Sequence, residues 1–470
     1  METNRAWGKC LCYLFRTEIA GGSVPHTSSL AAASQRDTVI RSQRKLVIAG
    51  IIGNILEWYD FSVYGYFAVS IGHHFFPSGN ATTSLLAAFG VFAAGFFMRP
   101  VGAVLFGHIG DNWSRERALF LSVVAMAIPT FLIGVLPDYQ QIGITASVLL
   151  VVLRLAQGIS VGGEYTTSIV FVVERSIPQR RGLMGTWCLF GVCAGTLLGS
   201  AVGTLLTSVL PRKVMRAWGW RLPFIFGLAI GMVGLHIRRE LERGREFLEA
   251  QGTDIKQEPA GSFTEALRTQ RRAILRITAL KAVSAVGFYT LFVYISVFFT
   301  KIVQIPKSEA LAINTIALAA MLVLLPCAGM LSDRLGRKPL LLAGAAGVLL
   351  FSLPLFRLLR SPDFGTILFG QLCFTILLCL FYGAEPAATA EAFPGRVRCS
   401  SAAISHNLCF AFLGGTAPMV ATYLIALTGN ELSPSIYIMT AALVSMIAIF
   451  SLTETANAPP DLRAGTRPHQ

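Results

Sequence analysis

The sequence predicts an all-α polytopic membrane protein, with twelve transmembrane helices in two pseudo-symmetric six-helix bundles. Three observations predict it. The chain of 470 residues is 54% hydrophobic and 14% charged, with a mean hydropathy of +0.61, far too apolar to be hidden in soluble cores. Its apolar residues fall in unbroken runs rather than short alternating segments, which selects helices over a β-barrel. A charged frame, G-x-x-x-D-x-x-x-R, occurs twice, from Gly107 to Arg115 and from Gly329 to Arg337, 222 positions apart and each time between two apolar runs. A matched pair of charged loops in so apolar a chain points to two related halves.

Residues 1–45 read as a polar tail. Their apolar stretches are too short for a secretory leader and no small-residue cleavage site follows one, so the first span is expected to be retained as the first membrane helix. Six runs near the length of a bilayer crossing, at 46–70, 83–106, 119–136, 143–173, 184–209 and 220–237, make an N-terminal bundle over 46–237. In the fifth, Gly191, Gly195, Gly199 and Gly203 recur every four residues and form a smooth ridge for another helix. Residues 238–276 carry nine basic and seven acidic side chains, with Gly252 and Pro259 as breakers, and read as a cytosolic linker. Six further runs, at 277–300, 309–331, 340–358, 364–390, 400–427 and 433–453, make the C-terminal bundle over 277–453, and 454–470 form a second tail. Each bundle carries its charged frame after its second span, as a parallel duplication requires.

With the N-terminus in the cytosol, 28 Lys and Arg fall on the cytosolic side and seven on the other. That bias places both termini in the cytosol and explains the net charge of +14 without nucleic acid. The nine cysteines show no C-x-x-C pair, so neither a disulfide framework nor a metal site is implied. The Gly-rich Gly158 to Gly163 stretch follows no strand and lies in a span, so it is no phosphate cradle; no Walker lysine supplies ATP coupling, and no cofactor or enzymatic chemistry is expected.

Charges inside spans are costly and mark transport pathways or proton relays. Glu57 and Asp60 lie in the first span, on one stripe with Asn54 and Tyr64. Two carboxylates three residues apart form either a proton-carrying pair or a structural pair neutralised from another helix. In the fourth span Arg154, Gln157, Val161 and Tyr165 align, with Glu164 about 80° round the helix. Arg154 either holds a substrate carboxylate in bidentate fashion or is the permanent partner of Asp60 or Glu57. Lys281 and Glu385 are further intramembrane candidates, whereas Arg99 lies near enough to the cytosolic end to snorkel. Phe288, Tyr289 and Tyr294 line a cavity or pack against helix and lipid. In the charged loops, Asp111 with Arg115 and Asp333 with Arg337 can bind the N-terminal end of a neighbouring helix in one conformation and release it in another, which is a latch. A mere orientation signal is the alternative.

The paired loops resemble the signature of the major facilitator superfamily, and Arg154-Leu155-Ala156-Gln157-Gly158 resembles its fourth-helix motif. More narrowly, Asn54-Ile55-Leu56-Glu57-Trp58-Tyr59-Asp60, Met98-Arg99-Pro100-Val101-Gly102, Gly162-Gly163-Glu164-Tyr165, Trp218-Gly219-Trp220-Arg221 and Gly414-Gly415-Thr416-Ala417-Pro418 are similar to its metabolite:proton symporter family, over about residues 46–455. That family includes carriers of α-ketoglutarate, citrate, shikimate and proline or glycine betaine. The resemblance implies proton-driven symport in a plasma (cell inner) membrane, with Glu57 and Asp60 as proton-coupling carboxylates, Asp111 and Asp333 as gating aspartates and Arg154 as the fourth-helix cation. Arg154, Gln157, Tyr64, Tyr165, Tyr289 and Lys281 are the expected substrate contacts. The chain departs from the family at Asn112 and Ser114, which makes the second loop the better latch, and at Glu385 and His406. Phe75-Phe76-Pro77-Ser78-Gly79 and Arg154 resemble oxo-acid carriers, so the expected substrate is a small organic acid such as α-ketoglutarate or another dicarboxylate. The ending Thr453-Glu454-Thr455-Ala456-Asn457 resembles proline/betaine carriers and supports a zwitterion as the alternative. A drug/proton antiporter is disfavoured, since residues 184–209 contain no proline. Substrate, protons and lipid are the expected partners, and the chain is expected to act as a monomer.

Overall fold

The computed structural model describes residues 53–112, 115–162, 164–233, 236 and 263–456; the side chains at 106–112, 115–119, 164 and 175 lie outside that description. Nine described helices are long and apolar enough to cross a membrane, from Ala81–Leu105 to Ser433–Phe450. The shorter apolar helices Phe120–Val135 and Gly219–Val233, with the helical run 53–75 interrupted at Phe67, occupy the other three expected spans. The result is an all-α fold of two six-helix bundles.

Close backbone approach sets the positions of the functional side chains. A Cβ on Gly158 would stand 1.9 Å from the Gly95 carbonyl oxygen, and one on Gly102 would stand 1.8 Å from that of Ile159. The second and fourth spans therefore touch main chain to main chain, and Arg99 and Arg154 enter the bundle from adjoining walls. The glycine ridge of helix Arg181–Val209 serves two neighbours. Gly195 and Gly199 face Ile55 and Ser62 of the first span, while Gly203 meets Leu311 of helix Lys307–Leu335 in the other half. Small residues permit this double contact because no side chain keeps the backbones apart.

Part of the expected linker lies among the described residues. Helix Phe263–Thr269 and helix Arg271–Leu280 occupy its C-terminal end, with Ala266 and Ile274 buried. Ile274, Ile277 and Leu280 are buried at three-residue spacing and the helix packs on helix Gly395–Cys409, so the seventh span begins before residue 277. Beyond Phe288 that span passes through two π-helical segments, Tyr289–Tyr294 and Phe299–Val303, and its most apolar stretch is wholly buried. The second charged loop turns at Gly336, whose φ of 105° a residue with a side chain seldom adopts.

Candidate functional site

Inside the N-terminal bundle four polar side chains form a continuous chain. The Thr130 hydroxyl donates to Asp60 Oδ2 at 2.8 Å, Gln157 Nε2 donates to Thr130 Oγ1 at 2.6 Å, and Arg154 Nη1 donates to Gln157 Oε1 at 2.8 Å. All four are buried. Arg154 thus reaches Asp60 through two intermediaries, and its guanidinium lies 4.1 Å from the Tyr64 ring centre and 4.9 Å from that of Phe61. The Met126 carbonyl lies 2.8 Å from the same Thr130 hydroxyl. One hydroxyl proton cannot serve both acceptors, so Thr130 turns to Asp60 when the carboxylate is ionised and can turn to Met126 when Asp60 itself donates. Thr130 is absent from the sequence-based candidates: a threonine in an apolar run gives no sign of partners 70 and 27 residues away.

Glu57 lies one turn earlier, 3.9 Å from Arg99 Nη2. Arg99 does not snorkel. It is 2% exposed, with its guanidinium 4.1 Å from the Phe96 ring centre and 4.8 Å from that of Phe61. Aromatic faces and a carboxylate hold the cation inside, which corrects the expectation drawn from its position near the end of the span. A small cleft borders both Glu57 and Asp60, together with Ser122 and Ser160.

Between the halves lies a second, small cavity. Trp58 and Tyr165 line it from the N-terminal half, and Phe288, Tyr382, His406 and Phe410 from the C-terminal half, with Ser284 and Glu385 among the polar groups. Lys281 forms a buried ion pair with Glu385, and Thr389 donates to the same carboxylate at 3.3 Å. Of the expected substrate contacts, Tyr165 lines this cavity and Tyr289 sits beside it, 5.8 Å from Trp58 between ring centres. Lys281 stands behind Glu385. Tyr64, whose hydroxyl donates to the Ala88 carbonyl at 3.1 Å, joins Arg154 and Gln157 in the N-terminal network instead. Among the described residues no group of His, Cys, Asp or Glu is placed to hold a metal ion.

The second charged loop bridges the halves. Asp333 accepts the Gly182 and Leu183 backbone N–H groups at 2.7 and 2.9 Å, at the start of helix Arg181–Val209. Arg337 Nη1 donates to Asp333 at 2.8 Å and its Nε to Glu391 at 3.4 Å, while Arg181 lies 3.9 Å from Glu391. Glu454 accepts the Arg337 and Lys338 N–H groups at 2.9 and 2.8 Å and so caps helix Arg337–Leu359. Burial acts to raise the Glu454 pKa, but the N–H groups of Ala456, Arg337, Lys338 and Thr455 outweigh it and hold the carboxyl below its usual value. The side chains of Asp111 and Arg115 lie outside the described residues.

Comparisons with known proteins agree over nearly the whole chain. Residues 46–248 match the family described as Sugar (and other) transporter, and residues 277–469 match the Major Facilitator Superfamily. The glycine betaine/proline/ectoine/pipecolic acid transporter OusA of Dickeya dadantii is 35% identical over 423 residues, covering 88% of this chain and 84% of its own. The proline/betaine transporter of Escherichia coli is 34% identical with the same coverage, and a putative proline/betaine transporter of Staphylococcus aureus is 32% identical over 87% of this chain and 88% of its own. The xylose transporter XylE of E. coli, in a partially occluded inward open conformation, superposes with a TM-score of 0.70 at 18% identity, covering 89% of this chain and 100% of its own. At that identity the likeness concerns the fold.

Proposed function

Since the chain belongs to the major facilitator superfamily, among its proline/betaine-type secondary transporters, we propose that it takes up a small zwitterionic osmolyte of the proline or glycine betaine class together with protons. It is a multi-pass membrane transporter and not an enzyme. The expectation of a dicarboxylate is corrected: the curated relatives carry zwitterions by name, and the intramembrane cations that suggested an anion are each engaged internally. Arg99 lies beside Glu57, Lys281 is paired with Glu385, and Arg154 is bound to Gln157 and to aromatic faces.

The observation that carries the reading is a cavity of aromatic walls and polar edges between two halves that belong to a proline/betaine-type family. A zwitterion has no net charge, so it enters a low-dielectric cavity at less cost than an anion while offering both a carboxylate and an ammonium for recognition. Asp60 is the proton carrier. When it is ionised, Thr130 and Gln157 link its charge to Arg154; protonation removes the charge and frees Thr130 for Met126. Glu57 and Arg99 form the second charge pair of the first span. Alternating access follows from rocking of the halves, with Asp333 closing the cytosolic side when it binds Gly182 and Leu183. The termini lie in the cytosol, the membrane is the plasma membrane, and one chain suffices because the cavity lies between its own halves.

Counterflow in proteoliposomes tests the substrate class. Unlabelled proline or glycine betaine inside should draw in the labelled compound. Exchange of neither would overturn the assignment.

A further inference from the structure

The central cavity carries an asymmetry that the fold does not require. His406 is 2% exposed, and neither of its ring nitrogens has a protein hydrogen-bond partner. The indole Nε1 of Trp58 and the hydroxyl of Ser284 are likewise buried without a partner. All three line one cavity, from three different spans. Buried polar groups are nearly always paired, so three convergent orphans in one cavity are what a site looks like before its ligand supplies the missing acceptor.

The ring of His406 is fixed rather than loose. It stacks on Phe410 at 4.0 Å, and Tyr165 from the other half packs at 4.9 Å. With aromatic neighbours against it, the imidazole has its edge left for a ligand. A neutral imidazole provides one N–H donor, the indole a second and the serine hydroxyl a third. Lys281 and Arg99 act on the ring, but each stands beside a carboxylate, Glu385 and Glu57, so the three donors rather than a net positive field select an anionic group. The rest of the wall is different in kind. Phe288 stands edge-on to Trp58 at 5.6 Å, and Tyr382 and Phe410 complete an apolar, π-rich surface beside the Glu385 carboxylate. Aromatic faces attract a cation, including a quaternary ammonium that cannot donate hydrogen bonds.

On the zwitterion reading above, we propose that His406, Trp58 and Ser284 bind the substrate carboxylate, while Phe288, Tyr382 and Phe410 hold its ammonium end. His406 is then a specificity residue for the carboxylate. Lys281 and Glu385 remain paired with each other.

The test separates a hydrogen bond from a packing role. His406→Phe keeps an aromatic ring in the stack and removes the donor, whereas His406→Gln restores an N–H without the imidazole. Labelled glycine betaine uptake, normalised to protein in the vesicle, should show KM raised about tenfold in His406→Phe with maximal rate within a factor of two. That is the scale of one hydrogen bond to a charged group. His406→Gln should return KM to within about threefold of wild type. Trp58→Phe, which keeps a ring and loses only the N–H, should raise KM several-fold and serves if the His406 variants fail to insert. An unchanged KM in His406→Phe or Trp58→Phe overturns the assignment, and so does a His406→Gln variant as impaired as His406→Phe. If the wild-type protein exchanges neither betaine nor proline, the zwitterion reading itself fails; wild-type exchange with unaltered variants removes this assignment alone.

Discussion

Replacing Asp333 by alanine should open the cytosolic side. Its carboxylate, whose side chain is 8% exposed, accepts two N–H groups from the first turn of a helix in the other half, at 2.7 and 2.9 Å. A hydrogen bond to a charged group contributes about 1.5 to 3 kcal/mol. Water reaches the freed N–H groups once the halves part, and Arg337 keeps Glu391, so the two bonds together favour closure by roughly 2 to 4 kcal/mol. At 1.4 kcal/mol per decade the closed-to-open ratio then falls roughly 30- to 700-fold. Cys399 reports the change, since it is half-buried with its sulfur 3.6 Å from Thr167 Oγ1 across the interface. In a protein that keeps Cys399 as its sole cysteine, an impermeant maleimide added to inside-out vesicles should label Asp333→Ala at least about tenfold faster than its parent. Asp333→Asn, which keeps an acceptor oxygen without the charge, should fall between them. Equal labelling rates in all three would refute the latch.

Three other outcomes follow from single contacts. Thr130→Val should reduce proton-driven accumulation while sparing exchange, and Thr130→Ser should restore it; identical behaviour of Val and Ser would remove the hydroxyl from the coupling path. Lys281→Ala should lower stability by about 3 to 5 kcal/mol by stranding the Glu385 carboxylate, and adding Glu385→Gln should recover much of the loss, as read from thermal unfolding in detergent. Glu454 has a depressed pKa in the folded protein, so its capping contribution is present above the ordinary glutamate pKa of about 4.3 and is lost as pH falls through the folded value. The melting difference between wild type and Glu454→Gln should therefore exist at neutral pH, reflect less than about 1 kcal/mol because the group is partly solvated, and vanish in acid.

The spans and their division into halves were legible because a bilayer imposes length and apolarity on each helix separately. The second charged loop was legible for a similar reason, since Gly336 and Arg337 are local to Asp333. Thr130 was not, because its role depends on Asp60 and Gln157 arriving from two other helices. Arg99 was misjudged because its depth in the sequence says nothing of the rings of Phe96 and Phe61 that enclose it. The substrate class failed from the same cause: a count of cations reveals no pairing, and Arg99, Arg154 and Lys281 prove to be engaged by Glu57, Gln157 and Glu385. His406 stood out in the sequence only as an oddity. Its meaning lies in Tyr165 and Phe410 fixing the ring with both nitrogens left over.

The central claim is that Asp60 couples protons to the movement of a zwitterion. Proteoliposomes with an imposed inward proton gradient should accumulate labelled glycine betaine or proline above the external concentration, an uncoupler should abolish that accumulation, and Asp60→Asn should exchange substrate without concentrating it. Accumulation by Asp60→Asn at the wild-type level, or wild-type uptake indifferent to the gradient, would contradict the account.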